Sequence, residues 1–185
     1  TLTWNNSNEW ADGCGDAGPH GGLSPRGRDV VAAMEDLDMV VDVSHASRPT
    51  FEDVLAAARR PLIASHSCAR ALRDHQRNLD DDQLRALAAA GGVACVNFYP
   101  VFLVSEGEAS LDHVLDHIER FLAMAGEDHV GLGADYDGIG STPTDLPDVA
   151  ALPRVTDGLL RRGHAPAVVE KLLGANLLRV FEAAR

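Results

Sequence analysis

The chain has 185 residues, of which 45% are apolar, and it carries a formal net charge of −12. That length and apolar content suffice for a folded domain with a sizeable core, and we expect residues 1–185 to form a single domain. The acidic excess argues against a nucleic-acid partner and against an anionic membrane surface. No uninterrupted apolar window reaches about 18 residues, so the sequence predicts no transmembrane helix.

Strand-like and helix-like segments alternate along the chain. The strand-like segments are short and rich in β-branched residues, whereas the helix-like segments carry apolar residues three and four positions apart. The predicted strands are, in order, "TLTW", "MVVDVSH", "PLIASHS", "VACVNFY" and "HVGLGAD". The residues predicted to cap helices are Ser24, Thr50 and Ser110. A further helix ends before Gly91, and two more lie near residues 152–160 and 166–184.

This alternation predicts an α/β fold in which helices cover a parallel sheet and the crossovers are right-handed. Five strands fit either an open doubly wound sheet or the back part of an eight-stranded barrel. No glycine-rich phosphate loop follows a strand, so nothing indicates nucleotide binding. The three cysteines are too few and too scattered for a disulfide framework, which favours a cytoplasmic location.

Several predicted strands end in reactive side chains. His45 and His66 end the second and third strands, and Asp135 ends the fifth. Since the carboxyl ends of parallel strands meet at one edge, we expect these residues to converge. Two neutral imidazoles suit a metal ion, with zinc the best match, and an aspartate beside it suits a general base. The alternative is a set of structural polar residues, but two histidines on consecutive strands favour a site.

Two further residues are weighed evenly between function and structure. Arg77 follows the third strand and suits a bidentate clamp on a substrate carboxylate, or equally a surface salt bridge. Tyr99 ends the fourth strand, either in a substrate pocket or as a half-buried aromatic. The pair His113 and His117, one helical turn apart, is interpreted as surface or second-layer packing because the intervening glutamate of a metalloprotease helix is missing.

The sequence resembles the membrane dipeptidase (renal dipeptidase) family, the M19 metallopeptidases. The matching stretches span the whole chain: "TLTW", "GLSPRGRDVV", "VDVSHAS", "PLIASHSCAR", "RNLDDDQL", "GGVACVNFYP", "HVGLGADYDGI" and "NLLRVFEA". The resemblance implies a (β/α)₈ barrel of the metal-dependent hydrolase type with a two-zinc site. It also implies hydrolysis of dipeptides, including some with a D-residue at the C-terminal side.

The resemblance also implies roles for individual residues. His45 and His66 match the two histidine ligands of one of the two zinc ions, and Asp135 matches the aspartate that handles protons at the scissile amide. Arg77 matches the arginine that holds the substrate's terminal carboxylate, and Tyr99 falls at a substrate-pocket tyrosine. Trp4 stands where many members have a substrate-contacting histidine, which points to altered specificity.

The family's remaining metal ligands, a His-x-Asp pair and a bridging glutamate, lie before "TLTW". We therefore expect this chain to be the C-terminal part of the enzyme, with about five of the eight strands. Such a piece exposes sheet edges, which association with another chain, including a second copy of itself, would cover. Three hypotheses follow: a zinc dipeptidase or its C-terminal part, a catalytically inactive fragment or pseudoenzyme, and a related metal-dependent amide or ester hydrolase.

Overall fold

The computed structural model describes residues 1–185, with eight α-helices and three β-strands. The strands are β1 Ile63–Ser67, β2 Val93–Val96 and β3 Val130–Leu132. The helices are α1 Pro25–Asp36, α2 Arg48–Ala57, α3 Asp81–Ala89, α4 Pro100–Leu103, α5 Leu111–Ala125, α6 Pro153–Arg161, α7 Pro166–Glu170 and α8 Asn176–Ala183. A π-helical turn, Lys171–Ala175, joins α7 to α8, and short 3₁₀ turns precede β3 and α6.

The predicted parallel sheet is confirmed, with strand order β1-β2-β3. The prediction of five regular strands is wrong for the first two segments. In "MVVDVSH" a single parallel bridge joins Asp42 to Ile63, because the chain leaves β1 in a turn immediately afterwards. "TLTW" pairs with no strand, although Leu2 and Thr3 are buried. The expectation of five strands from an eight-stranded barrel is therefore not confirmed.

The helix caps follow from sequence chemistry with one exception. The Ser24 hydroxyl accepts the Gly27 N–H at the start of α1, and Ser110 precedes α5, as predicted. Helix α2 begins at Arg48 rather than after Thr50. Its cap is Ser47, whose hydroxyl accepts the Thr50 N–H at 3.2 Å. A proline in the first helical turn has no N–H to satisfy, so the serine just before "RP" is the better cap.

The core lies between the sheet and the helices that cover it. One cluster of 32 buried apolar residues includes Phe51, Phe98 and Phe121, which are almost fully enclosed. A small cluster on the other face of β2 packs Val93 and Cys95 against Val180 of α8. Burial of this apolar surface fixes the sheet and thereby the positions of its strand ends. No helix is both long enough and apolar enough to cross a bilayer.

Candidate active site

His45 and His66 face each other at the carboxyl end of β1. Their Nε2 atoms are 2.8 Å apart, and the two rings meet edge to face with centroids 4.8 Å apart. His66 belongs to β1, whereas His45 lies in the turn after Asp42 with φ +69°. A left-handed backbone at a residue other than glycine is unfavourable. The turn nevertheless holds it, and this conformation directs the His45 ring toward His66.

The other nitrogen of each ring is held by a hydrogen bond. The Nδ1–H of His45 donates to the Asn5 side-chain oxygen at 2.8 Å. The Nδ1–H of His66 donates to the Ser65 hydroxyl at 2.7 Å, and that hydroxyl donates to Asp42 Oδ2 at 2.7 Å. Both Nε2 atoms therefore present lone pairs to the narrow space between the rings. Such an arrangement is repulsive unless a cation or a proton lies there.

The surroundings of the pair disfavour a proton. Burial lowers the pKa of His45 to about 3, and the nearby charge of Arg77 contributes to this shift. Burial and Arg77 also lower the pKa of His66, although the charges of Asp135 and Asp42 oppose the effect. Both imidazoles are thus neutral at physiological pH, which is the form that coordinates metals. No group of three or more His, Cys, Asp or Glu side chains suited to one metal ion occurs in the chain.

Arg77 is a buried cation without an acidic partner. Its side chain is only 4% exposed, its Nη2 donates to the His66 carbonyl oxygen at 2.9 Å, and its guanidinium lies 5.4 Å from the centre of the Phe102 ring. No carboxylate forms an ion pair with it, and its Nε has no hydrogen-bond partner. A cavity of about 160 Å³ is lined by Arg77, His45, Cys14 and Ser67, among others. This cavity therefore suits an anionic group.

Asp135 follows β3 and lies at the same edge of the sheet. Its backbone is also left-handed, with φ +61°, and its Oδ2 accepts a hydrogen bond from the Asn97 amide at 3.2 Å. A β-carbon at Gly138 would lie 2.3 Å from Asp135 Oδ1, so only glycine lets this turn close against the carboxylate. The charge of Asp135 acts on His66, which puts the carboxylate within electrostatic reach of the histidine pair.

The two aromatic candidates differ in their placement. Trp4 is 68% exposed, and its ring centroid is 6.1 Å from that of His45, so it stands at the open side of the pair. Tyr99 does not line the cavity beside Arg77. Its ring packs edge to face on Phe102 at 5.0 Å, and Phe102 in turn lies against the Arg77 guanidinium. The structure therefore brings together five of the six predicted residues, which are His45, His66, Asp135, Arg77 and Trp4. Tyr99 is separated from them by the Phe102 ring.

Four residues around the site had no predicted role. Asn5 and Ser65 contact His45 and His66 respectively, Asp42 contacts Ser65, and Asn97 contacts Asp135. Asp42, Ser65 and Asn97 were visible as polar residues at strand ends, which was the only signal for them. Asn5 gave no signal, because it lies in a loop 40 positions from the histidine that it contacts.

Comparison with known proteins agrees with this arrangement. The model of the membrane dipeptidase family (peptidase family M19) matches residues 1–185. A metallo peptidase from Rhodobacter sphaeroides, solved with a phosphinate mimic of L-Ala-D-Ala, superimposes with a TM-score of 0.91 at 30% identity, over 99% of this chain and 54% of that one. The probable dipeptidase PvdM from Pseudomonas aeruginosa gives a TM-score of 0.93 at 27% identity, over 98% and 61%.

Comparison with curated sequences also finds a dipeptidase among the relatives of this chain. Dipeptidase verJ from Clonostachys rogersoniana is 38% identical over 98% of this chain and 47% of its own length. An uncharacterized protein from Klebsiella pneumoniae is 40% identical over 97% of this chain and 69% of its own length. The chain spans about half the length of most of the curated relatives it matches.

The parallel α/β fold is thus shared with metallopeptidases of known structure. More narrowly, the chain belongs to the membrane dipeptidase family, peptidase family M19.

Proposed function

We propose that the chain forms one domain, the C-terminal part of a barrel, in a zinc-dependent dipeptidase. The close placement of the histidine pair and Arg77 is the observation that supports this proposal most. Two neutral imidazoles direct their Nε2 lone pairs at each other, and beside them a buried arginine without a counter-ion lines a cavity. The first feature suits a cation, and the second suits the carboxylate of a small substrate.

The donor set fits zinc in its chemistry. His45 and His66 supply neutral nitrogen ligands, and each ring is held through its other nitrogen, as metal-bound histidines usually are. His45 and His66 would hold a zinc ion, which would supply the polarisation of a carbonyl group and the acidification of water that amide hydrolysis needs. The remaining ligands would be the His-x-Asp pair and glutamate that the family resemblance implies, and they are not among these residues.

Four other residues of the chain each have a separate role in hydrolysis. Asp135, oriented by Asn97, takes a proton from the attacking water and delivers it to the leaving amine. Arg77 binds the C-terminal carboxylate of the dipeptide, which fixes the distance between that end and the scissile bond. Trp4 packs against the substrate at the open side of the site, and Tyr99 supports the pocket through Phe102.

The test combines elemental analysis with a hydrolysis assay on one sample. In the chain extended upstream to include the remaining ligands, we expect stoichiometric zinc and hydrolysis of dipeptides, with L,L-, L,D- and glycine-containing substrates compared. His45→Ala and His66→Ala should lose both zinc and activity. His164→Gln is the matched control, because His164 pairs with Glu119 away from the site. Zinc retention in both alanine variants would contradict the proposed ligands.

An inactive fragment is the second candidate, and one observation favours it: no three-residue metal cluster forms within this chain. It predicts no zinc and no hydrolysis by the 185-residue chain, with neither gained when upstream sequence is added. Zinc and activity that appear only in the extended chain would support the dipeptidase. Hydrolysis of other amides or esters without dipeptides would indicate a related hydrolase, and Trp4 would be the first residue to examine.

A further inference from the structure

The hydrogen bonds behind His66 have a fixed direction. Asp42 is buried, and its Oδ1 accepts the backbone N–H groups of Ser44 and Ser65 at 3.0 and 2.9 Å. Its Oδ2 accepts the Ser65 hydroxyl at 2.7 Å. A carboxylate can only accept hydrogen bonds, so the Ser65 proton points to Asp42. The Ser65 oxygen must then accept from His66 Nδ1, which is 2.7 Å away.

We propose that Asp42 and Ser65 are positioning residues that hold His66 as its Nδ1–H tautomer, with Nε2 free to bind a metal. This inference deepens the proposed function and rests on it for the metal. The relay also places the Asp42 carboxylate one hydroxyl away from the imidazole, which fixes the orientation of the ring. A second contact of Ser65, to the Ser44 hydroxyl at 3.4 Å, is too long to compete with the two short bonds.

The two residues differ in what their replacement should do to the tautomer. In Asp42→Asn, the side-chain oxygen still accepts the two backbone N–H groups, but an amide N–H now faces Ser65. The Ser65 hydroxyl must then donate to His66 Nδ1, which moves the ring proton to Nε2 and blocks the metal position. Ser65→Ala removes the relay and leaves the tautomer unfixed. Ser65→Thr keeps a hydroxyl at the same place and should restore the wild-type tautomer.

The first experiment observes the ring nitrogens of isotope-labelled histidine by NMR, in the full polypeptide stripped of metal with a chelator. A His66→Gln variant assigns the signals of His66. We expect a protonated Nδ1 and an unprotonated Nε2 in the wild type, and the reverse in Asp42→Asn. Circular dichroism confirms that each variant is folded. Because the wild type alone gives the first answer, the proposal is testable even if Asp42→Asn does not fold.

The second experiment titrates the same proteins with zinc alone. Ser65→Ala should weaken zinc binding by about 10- to 100-fold, the usual effect of removing such a partner, and Ser65→Thr should restore most of it. Ser105→Ala is the matched control, since Ser105 is an exposed serine in the loop after α4, outside the cavity beside Arg77. It should leave the tautomer and the zinc affinity unchanged.

The outcomes separate this inference from the proposed function. An Nε2–H tautomer of His66 in the wild type would overturn the inference, and so would equal losses of zinc affinity in Ser65→Ala and Ser105→Ala. An Nδ1–H tautomer that reverses in Asp42→Asn would support the positioning role. If that reversal occurs in a polypeptide that binds no zinc even when upstream sequence is added, the relay stands and the metal-dependent function fails.

Discussion

Replacing Arg77 with methionine should separate binding from stability. Methionine matches the length of the buried stem but removes the charge. In the folded chain the guanidinium makes one hydrogen bond, to the His66 carbonyl oxygen, and one contact with the Phe102 ring. It has no acidic partner. Burying a cation without an acidic partner costs desolvation energy, and its own contacts offset only part of that cost.

The size of the effect follows from these contacts. A hydrogen bond to a charged group contributes about 1.5–3 kcal/mol, and a cation–π contact contributes about 0.5–2 kcal/mol. Against these stands a desolvation cost of several kcal/mol for a buried ion. The terms nearly cancel, so Arg77→Met should change the free energy of unfolding by less than about 2 kcal/mol. Breaking a true buried salt bridge would cost about 3–5 kcal/mol.

Urea unfolding of the metal-free protein measures this change, and acetate serves as a probe for carboxylate binding. Acetate at about 100 times its dissociation constant should stabilise the wild type by about 2.7 kcal/mol and leave Arg77→Met unchanged. A loss of stability as large as that of a broken salt bridge would show that Arg77 is structural. Equal stabilisation of both proteins by acetate would show that Arg77 does not bind the carboxylate.

Three other predictions concern the backbone and the buried histidine His117. Burial lowers the pKa of His117 below its unfolded value of about 6.5, so its contribution to stability is complete above that pH and declines as the pH falls. The His117 Nδ1 accepts the Ala69 N–H at 2.9 Å, and its Nε2–H donates to the Leu103 carbonyl oxygen at 3.1 Å. His117→Gln, whose side-chain amide can make both of these hydrogen bonds, should therefore lose less stability than the wild type between about pH 7.5 and about pH 5; parallel losses in urea unfolding would contradict this. At His45, with φ +69°, glycine should give a variant about 1 kcal/mol more stable than alanine, and equal thermal midpoints would argue against the left-handed turn. At Gly133 a β-carbon would lie 1.9 Å from the Ser65 carbonyl oxygen, so Gly133→Ala should cost about 1–3 kcal/mol, which unchanged stability would refute.

Periodicity and turn chemistry predicted most of the fold. The helix after Ser24, the parallel pairing of β1 with β2 and the strand that leads to Asp135 are all present. These elements depend on local patterns of apolar residues and caps, which the sequence displays directly. The convergence of His45 and His66 was predictable for a related reason, since parallel strands bring their carboxyl ends to one edge.

The sequence was less informative where a segment has no regular partner. "TLTW" has the composition of a strand, but strand pairing depends on a neighbour, and no strand of this chain lies beside it. The contact between Asn5 and His45 spans 40 positions and follows no periodicity. The Asp42–Ser65–His66 relay depends on the register between two segments that share one bridge. Such contacts become visible only when the strands are placed in three dimensions.

The charges at the site link metal binding to substrate binding. Asp42 and Asp135 contribute two negative charges near the histidine pair, and Arg77 contributes one positive charge. A divalent cation together with one substrate carboxylate would bring this set to neutrality. The same positive charge that lowers the pKa of His45 and His66 also opposes a metal ion between them.

Arg77→Met should therefore bind zinc more tightly while it loses its affinity for carboxylates. A partly screened charge pair at this range contributes about 1 kcal/mol, so we expect about fivefold tighter zinc binding. The gain in zinc affinity should be smaller at high salt, because dissolved ions screen the solvent-exposed part of the charge interaction. Zinc titration of both proteins by calorimetry measures it, with Ser105→Ala as the uncharged control. Weaker zinc binding in Arg77→Met would show that Arg77 supports the metal site through the His66 backbone rather than opposing it through charge.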